Sequence, residues 1–415
     1  MRRLVISQVT QALAGRGRLT IGRFSGGLGG AFVLDSVTLA DARGVVVLQA
    51  AHVELDVDLA PIARGRIRVR RLLLVRPFAL FEQGHDSVWN VSRLFGSPTP
   101  TTKVARAAFD ISLDSAEVRD GLVRLSMPDT LRRLPLVSRD FSALQLRLGA
   151  TRVLHRDTAG GIAPVRRLSM RSSKPPMILR EAEGTVRWWA DSLALDFPAL
   201  RLPASRGSIR GTVAWAQRGP ARLNLALRAD SVTFSDIGWI TTIIPKQGGG
   251  SADVLITNGV NPRDIEYRLT HMDVGATGSR IAGAFTAVTG RRTSIVNLAL
   301  DAHPLDLNLV REIFGDSTPK KVWQGSLTGT VRGRGGPLDS LRLDDVRLTF
   351  SDRRVKGGAT SRITIAGEVN TRARPTELRG MAVQVENLDV RTLGAVASSP
   401  TRCMASSTGG WCSTA

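Results

Sequence analysis

The stretch Val53-Glu54-Leu55-Asp56-Val57-Asp58-Leu59 decides how the rest of the chain is read. Apolar and acidic residues alternate without a break. Val53, Leu55, Val57 and Leu59 therefore share one face of a β-strand, and the carboxylates face water on the other. The same period of two returns in Leu144-Gln145-Leu146-Arg147-Leu148, Leu193-Ala194-Leu195-Asp196-Phe197, Leu223-Asn224-Leu225-Ala226-Leu227 and Leu341-Arg342-Leu343-Asp344. Turn chemistry separates these runs, as in Asp41-Ala42-Arg43-Gly44, Asp120-Gly121, Arg218-Gly219-Pro220 and Gly335-Gly336-Pro337. Short strands at spacings of roughly 8–12 residues predict an all-β, antiparallel architecture. The long helical periodicities of a βαβ fold are missing. Helix is expected only over residues 3–14, where Val5, Val9 and Leu13 recur before Gly15 and Gly17, and as short turns near Ile237–Ile244 and Leu307–Phe314.

Outward from the strands, the charge is lopsided. The 415 residues carry 57 Lys and Arg against 36 Asp and Glu, a net +21. Arginine supplies nearly all of it and alternates with apolar residues, as in Arg66-Ile67-Arg68-Val69-Arg70. The first reading is a solvated, arginine-rich strand face. The second is attraction to anionic lipid head groups, with Arg66, Arg68 and Arg70 in contact. Nucleic acid comes third, because aromatic residues for base stacking make up only 5% of the chain.

Catalytic and metal-binding patterns are absent. The only cysteines are Cys403 and Cys412, and the five histidines have no partner at i+3 or i+4. Gly22–Gly30 lacks the Lys-Ser/Thr and helix of a phosphate loop and reads as a turn between strands. The acid pairs Asp56/Asp58 and Asp344/Asp345 read as wet-face or turn residues, and His85-Asp86 as hairpin chemistry. The expectation is a non-enzyme with no catalytic residue, no cofactor and no metal. Apolar runs stop at about four residues, far short of the ~20 of a spanning helix.

A loose repeat is visible. Gly207-Ser208-Ile209-Arg210-Gly211-Thr212-Val213 returns as Gly325-Ser326-Leu327-Thr328-Gly329-Thr330-Val331 and, more weakly, as Ser279-Arg280-Ile281-Ala282-Gly283-Ala284-Phe285. Such text suits close backbone approach in a sheet that grows in one dimension. Loop composition marks breaks at 96–102, 172–176 and 246–251, and alternation ends at Ser398. The expected organisation is an N-terminal helix at 1–17, a β module at 18–96, a repetitive β region at 103–397 and a tail at 398–415.

The first hundred residues resemble the N-terminal region of the AsmA/TamB superfamily of diderm bacterial envelope proteins. The matching text runs in the family's order: Leu19-Thr20-Ile21-Gly22 with Gly26, Gly27 and Gly30, then Leu34–Gly44, Val53–Leu59, Leu72–Pro77, and Trp89-Asn90-Val91-Ser92-Arg93-Leu94. Ser87 stands where the family has Gly before that tryptophan. The copies near 207 and 325 resemble TamB-type repeats.

The resemblance implies a β-taco, an antiparallel sheet curled into an elongated open groove with an apolar inside. It also implies phospholipid transfer between inner and outer membranes, or support of outer-membrane protein assembly and secretion with an Omp85-class barrel partner. The implied location is the periplasmic face of the inner membrane, held by an N-terminal transmembrane helix. That anchor and the TamB-type C-terminal domain are expected to be missing from this chain. Acyl chains would lie against Val53, Leu55, Val57, Leu59, Leu144, Leu146, Leu148, Leu223, Leu225, Leu227, Leu341 and Leu343 of a monomer. The alternative places these residues in the closed core of a β-solenoid or sandwich scaffold without lipid cargo.

Overall fold

The computed structural model describes residues 13, 15–27, 29–58, 60, 66–84, 88–95, 110–129, 134–154, 160–189, 191–215, 220–240, 244–309, 324–337, 340–353, 360–370, 377–387, 403–404 and 411–412. Leu59, His85-Asp86, the expected N-terminal helix before Leu13 and most of the tail after Ser398 lie outside these residues. The described chain is all-β. Its helices are two short ones, α1 (Asn90–Phe95) and α2 (Phe234–Ile237), and a helical turn at 307–309. It forms two compact units, residues 1–203 with 208–217, and residues 204–207 with 218–415.

The first unit opens with β1 (Gly17–Gly26), β2 (Ala31–Asp41), β3 (Val46–Asp58), β4 (Arg66–Val75) and β5 (Phe78–Glu82). Each successive pair from β1 to β4 is antiparallel, and β5 extends β4 along the same edge of β3. Arg76, with φ at 48°, and Pro77 interrupt what is otherwise one long strand. Next come β6 (Asp110–Leu113) and β7 (Ala116–Asp129), which run parallel to β4 and β5. Arg66 stands beside Asp110, Leu72 beside Ala116 and Phe78 beside Leu122. The expectation of antiparallel pairing fails at this step. A parallel neighbour needs a crossover connection back to the strand's starting end, and the segment holding α1 supplies it.

Antiparallel order resumes with β8 (Leu134–Leu148), β9 (Thr151–Leu154), β10 (Gly160–Ser173), β11 (Pro176–Trp189) and β12 (Ser192–Arg201). Residues 172–176, which read as a break, are the tight turn joining β10 to β11. The division between the units runs through β13 (Arg206–Ala214).

Two clusters hold this unit. In the first, α1 sets Leu94 onto Val47, Leu39 and Leu13, with Leu94 1% and Val47 0% exposed. Asn90 fixes the helix by accepting from the Glu82 N–H at 3.0 Å and donating to the Leu80 carbonyl at 2.8 Å. In the second, Val165, Leu179, Ala182 and Phe197 of β10–β12 are buried, with Leu146, Leu148 and Ile209 against them.

The second unit is a meander of β14 (Arg222–Thr233), β15 (Gly249–Asn258), β16 (Ile265–Ala276), β17 (Ser279–Thr289), β18 (Thr293–Asp306), β19 (Gly325–Pro337), β20 (Ser340–Asp352), β21 (Thr360–Asn370) and β22 (Glu377–Glu386). Every strand pairs antiparallel with the next. A further short pair, β23 (Cys403–Met404) and β24 (Trp411–Cys412), stands apart as its own sheet.

Each of the eight pairings between β14 and β22 contains a register shift. Bulges bend a strand and increase its twist, so this sheet is bent at every step. The glycine repeat serves the same end. Gly283, Gly329 and Gly367 lie mid-strand with φ at 135°, 138° and 139°. A Cβ there would run into the neighbouring strand's backbone at Ala299, Arg347 or Met381.

Candidate functional site

On β14, Leu223, Leu225 and Leu227 are half-buried, while Asn224, Ala226 and Arg228 between them are exposed. Directly opposed residues of a sheet share a face, so the register carries this apolar face onward. One row runs Leu227, Val254, Leu269, Phe285, Leu298, Gly333, Leu343, Gly367 across eight successive strands. At about 4.8 Å per step it covers roughly 34 Å of sheet, more than the length of an extended C16 acyl chain. A parallel row runs Leu225, Ile256, Tyr267, Ala287, Ile295, and another Leu300, Val331, Val346, Ile365, Val383. Leu341 belongs to the same face through Val369.

Most of these side chains are half-buried and not sealed. All ten residues of β15 are of this kind, and Val383 on β22 is 56% exposed. Closure is local. At one end of the strands α2 and the turn at 307–309 bury Phe234, Ala276 and Leu309, with Ile237, Ile244, Val274 and Leu305 around them. Buried serines tie down these ends. Ser205 Oγ donates to Asp236 at 2.7 Å and accepts from the Thr233 N–H at 2.9 Å. Ser279 Oγ accepts from the Asp306 N–H at 2.8 Å.

The opposite face is a lattice of ion pairs. Arg228 meets Asp230 at 2.8 Å, Arg332 meets Asp301 at 2.7 Å and Arg347 meets Asp345 at 3.0 Å. Arg280 hydrogen-bonds Asp273 at 2.7 Å and holds its carboxyl below the usual range. A cleft of about 500 Å³ opens beside Asp230, Ser251, Asp273 and Arg280. Of its carboxylates, Asp273 is bound by Arg280 and Asp230 by Arg228. Among the described residues no three metal-binding side chains converge, and no helix is long and apolar enough to cross a membrane.

The structure thus brings Leu223, Leu225, Leu227, Leu341 and Leu343 onto one face of the second unit. The others belong to the first unit. Val53 and Leu55 stand between Leu34 and Phe32 on β2 and Leu74 and Leu72 on β4. Val57 is buried and Leu59 lies outside the described residues. Leu146 and Leu148 pack into the β10–β12 cluster, and Leu144 stands opposite Gly121. Arg66 is exposed, Arg68 pairs with Asp114 at 3.0 Å, and Arg70 with Asp56 at 2.7 Å.

No protein-family model matches this sequence. No curated protein matches it either. The case for function therefore rests on the two faces of the second unit. Sequence reasoning missed Ile256, Tyr267, Leu269, Phe285 and Val346 as members of the apolar face. The alternation Ile265-Glu266-Tyr267-Arg268-Leu269 carried the signal for two of them.

Proposed function

We propose that this chain is a non-enzymatic envelope protein that conducts phospholipid between inner and outer membranes, or supports outer-membrane protein assembly and secretion. Acyl chains lie on the apolar face of β14–β21 while head groups stay in water. One observation carries the reading. Large aliphatic and aromatic side chains form a contiguous face over eight strands, and most remain half-buried. Soluble monomers rarely leave such a face partly wet. An acyl chain covering it recovers about 0.8 kcal/mol per buried CH₂. Movement along the face needs no catalytic residue, because one methylene replaces another. The periplasmic face of the inner membrane and an Omp85-class barrel partner belong to this reading through the sequence resemblance alone.

A scaffold without lipid cargo is the second reading, and the sealed cluster of Val165, Ala182 and Phe197 favours it for the first unit.

Purified protein from a detergent-free preparation, extracted with organic solvent and examined by mass spectrometry, is expected to yield phospholipids of several head-group types. Leu225→Asp is expected to keep the protein folded and deplete that lipid, since a carboxylate on a wet face stays hydrated but opposes acyl chains. A lipid-free wild type counts against the conduit. An unfolded Leu225→Asp protein favours a closed core.

A further inference from the structure

At one end of β14–β18 four arginines form no ion pair among the described residues, whereas farther along the same edge Arg379 is bound to Glu377 at 2.9 Å. The β15–β16 loop (259–264) and the β17–β18 loop (290–292) lie side by side there, because Ile265 pairs with Thr289 and a Cβ on Gly290 would run into the Asp264 carboxylate. The first loop is pinned. Gly259 N–H donates to the Asp264 carbonyl at 2.9 Å, and Asn258 Nδ2 donates to the Pro262 carbonyl at 2.7 Å and the Ala221 carbonyl at 2.9 Å. Held in this way, Val260 is 105% exposed. Arg263 lies on the same loop, Arg291 and Arg292 on the neighbouring one, and Arg222 at the start of β14 beside the Ala221 carbonyl that Asn258 bonds. All four are exposed, and none forms an ion pair among the described residues. Two acids lie nearby: the Asp264 carboxylate sits against Gly290 between the loops, and Glu266 is held by Arg268 at 2.8 Å, so the tip stays net positive, with four arginines against one unpaired carboxylate among the described residues. At the other end of the same strands the pattern differs, with Arg280 bound to Asp273 and Arg353 bound to Asp306 at 2.8 Å.

We infer that this loop pair is a docking tip for an anionic lipid bilayer. The four guanidiniums engage lipid phosphates, and Val260 enters the head-group layer. Charge complementarity carries the choice of partner. Each basic side chain near an anionic membrane adds to binding, and an apolar residue held at the tip gains only if it leaves water. The inference does not depend on lipid being conducted along the apolar face.

Flotation of the full chain with vesicles of phosphatidylcholine alone, or mixed with phosphatidylglycerol, tests it. The protein carries a net +21, so a charge-matched control is needed. Replacing Arg263, Arg291 and Arg292 by Gln is expected to lower partition onto the anionic vesicles by about tenfold or more. The control Arg228→Gln, Arg280→Gln, Arg347→Gln removes the same formal charge from arginines of the same unit that are already paired with Asp230, Asp273 and Asp345. It is expected to change partition much less. Equal losses in the two triple variants, or none, would overturn the docking tip. Val260→Ser, which removes the apolar side chain without changing the charge, is expected to weaken vesicle binding and leave binding to soluble heparin unchanged. If Val260→Ser leaves vesicle binding intact, the loops are a general polyanion site and the bilayer assignment fails. Lipid recovered by extraction is expected to be the same in all these variants, so this experiment and the conduit experiment fail separately.

Discussion

The β10–β12 region of the first unit and the β14–β17 region of the second are written in the same alphabet of alternating aliphatic residues, yet they are covered differently. In the first, Ala182 is 1% exposed, and Phe197 lies so close over Gly184 that a Cβ there would collide with its ring. In the second, Leu225, Ile256 and Tyr267 form an equally regular row that stays half-buried. Periodicity therefore establishes which residues share a face but not whether protein or something else covers it.

The sharpest break of this comparison is a charge placed on each face. Phe197→Asp is expected to unfold the first unit or destabilise it by several kcal/mol, because the carboxylate would be buried and unpaired. Leu225→Asp should cost far less by the same denaturant midpoint. Similar losses for the two would erase the distinction between a sealed and a wet face. Next in size is Leu94→Ala, expected to cost about 2–5 kcal/mol in urea unfolding, since Leu94 anchors α1 in a fully packed site. A loss below about 1 kcal/mol would mean that α1 is dispensable.

The bulged meander of the second unit is tested by Gly329→Ala. With φ at 138° and the Arg347 carbonyl in the path of any Cβ, it should cost about 1–3 kcal/mol. Gly27→Ala, which meets nothing within 4 Å, should be nearly neutral in the same melting experiment. The smallest effect concerns His52. Its hydrogen bonds to the Asp35 carboxylate and then to that of Glu54 raise its pKa above 6.5. Its contribution to stability is thus full below about pH 6.5 and is lost as pH rises through the raised folded value. The urea midpoint of the wild type should fall slightly between pH 6 and pH 8.5, and His52→Gln should flatten that fall. Carboxylates such as Asp140, held low by Arg124, act only in acid and leave this window clear.

Much of this was readable in advance, for definite physical reasons. The period of two in Leu223–Leu227 survives because the strand there is regular, and its leucines do share a face. Alternation cannot name a strand's neighbour, so the parallel step from β4 and β5 to β6 and β7 was invisible. It depends on a crossover through α1 and not on any residue pattern within the strands. Bulges were hidden for a related reason. An extra residue such as those between Ala229 and Val232 shifts the phase of one strand against its partner, and only the pair reveals it. The arginine face was legible as a wet face, but the acids that neutralise Arg68 and Arg70 come from elsewhere in the fold, Asp114 in the bend between β6 and β7 and Asp56 on β3. Gly283 and Gly329 of the repeats stood out in the text, while their reason, a positive-φ backbone pressed against the next strand, is conformational.

The strand order of the second unit also bears on how the chain acquires its structure. Each strand from β14 to β22 pairs with its immediate successor, so every pairing of the ladder is local in sequence and closes only the connection between neighbouring strands, which keeps the chain-entropy cost of each step low. Such a sheet can zip from its first hairpin as the polypeptide emerges from a ribosome or a translocation pore, with each new strand templated by the one before it. The parallel step in the first unit cannot be made in that way. Residues 66–82 must wait, with one edge unpaired, until residues 110–129 have emerged. During that interval the exposed edge is open to wrong partners, and a holding chaperone would do the most good there.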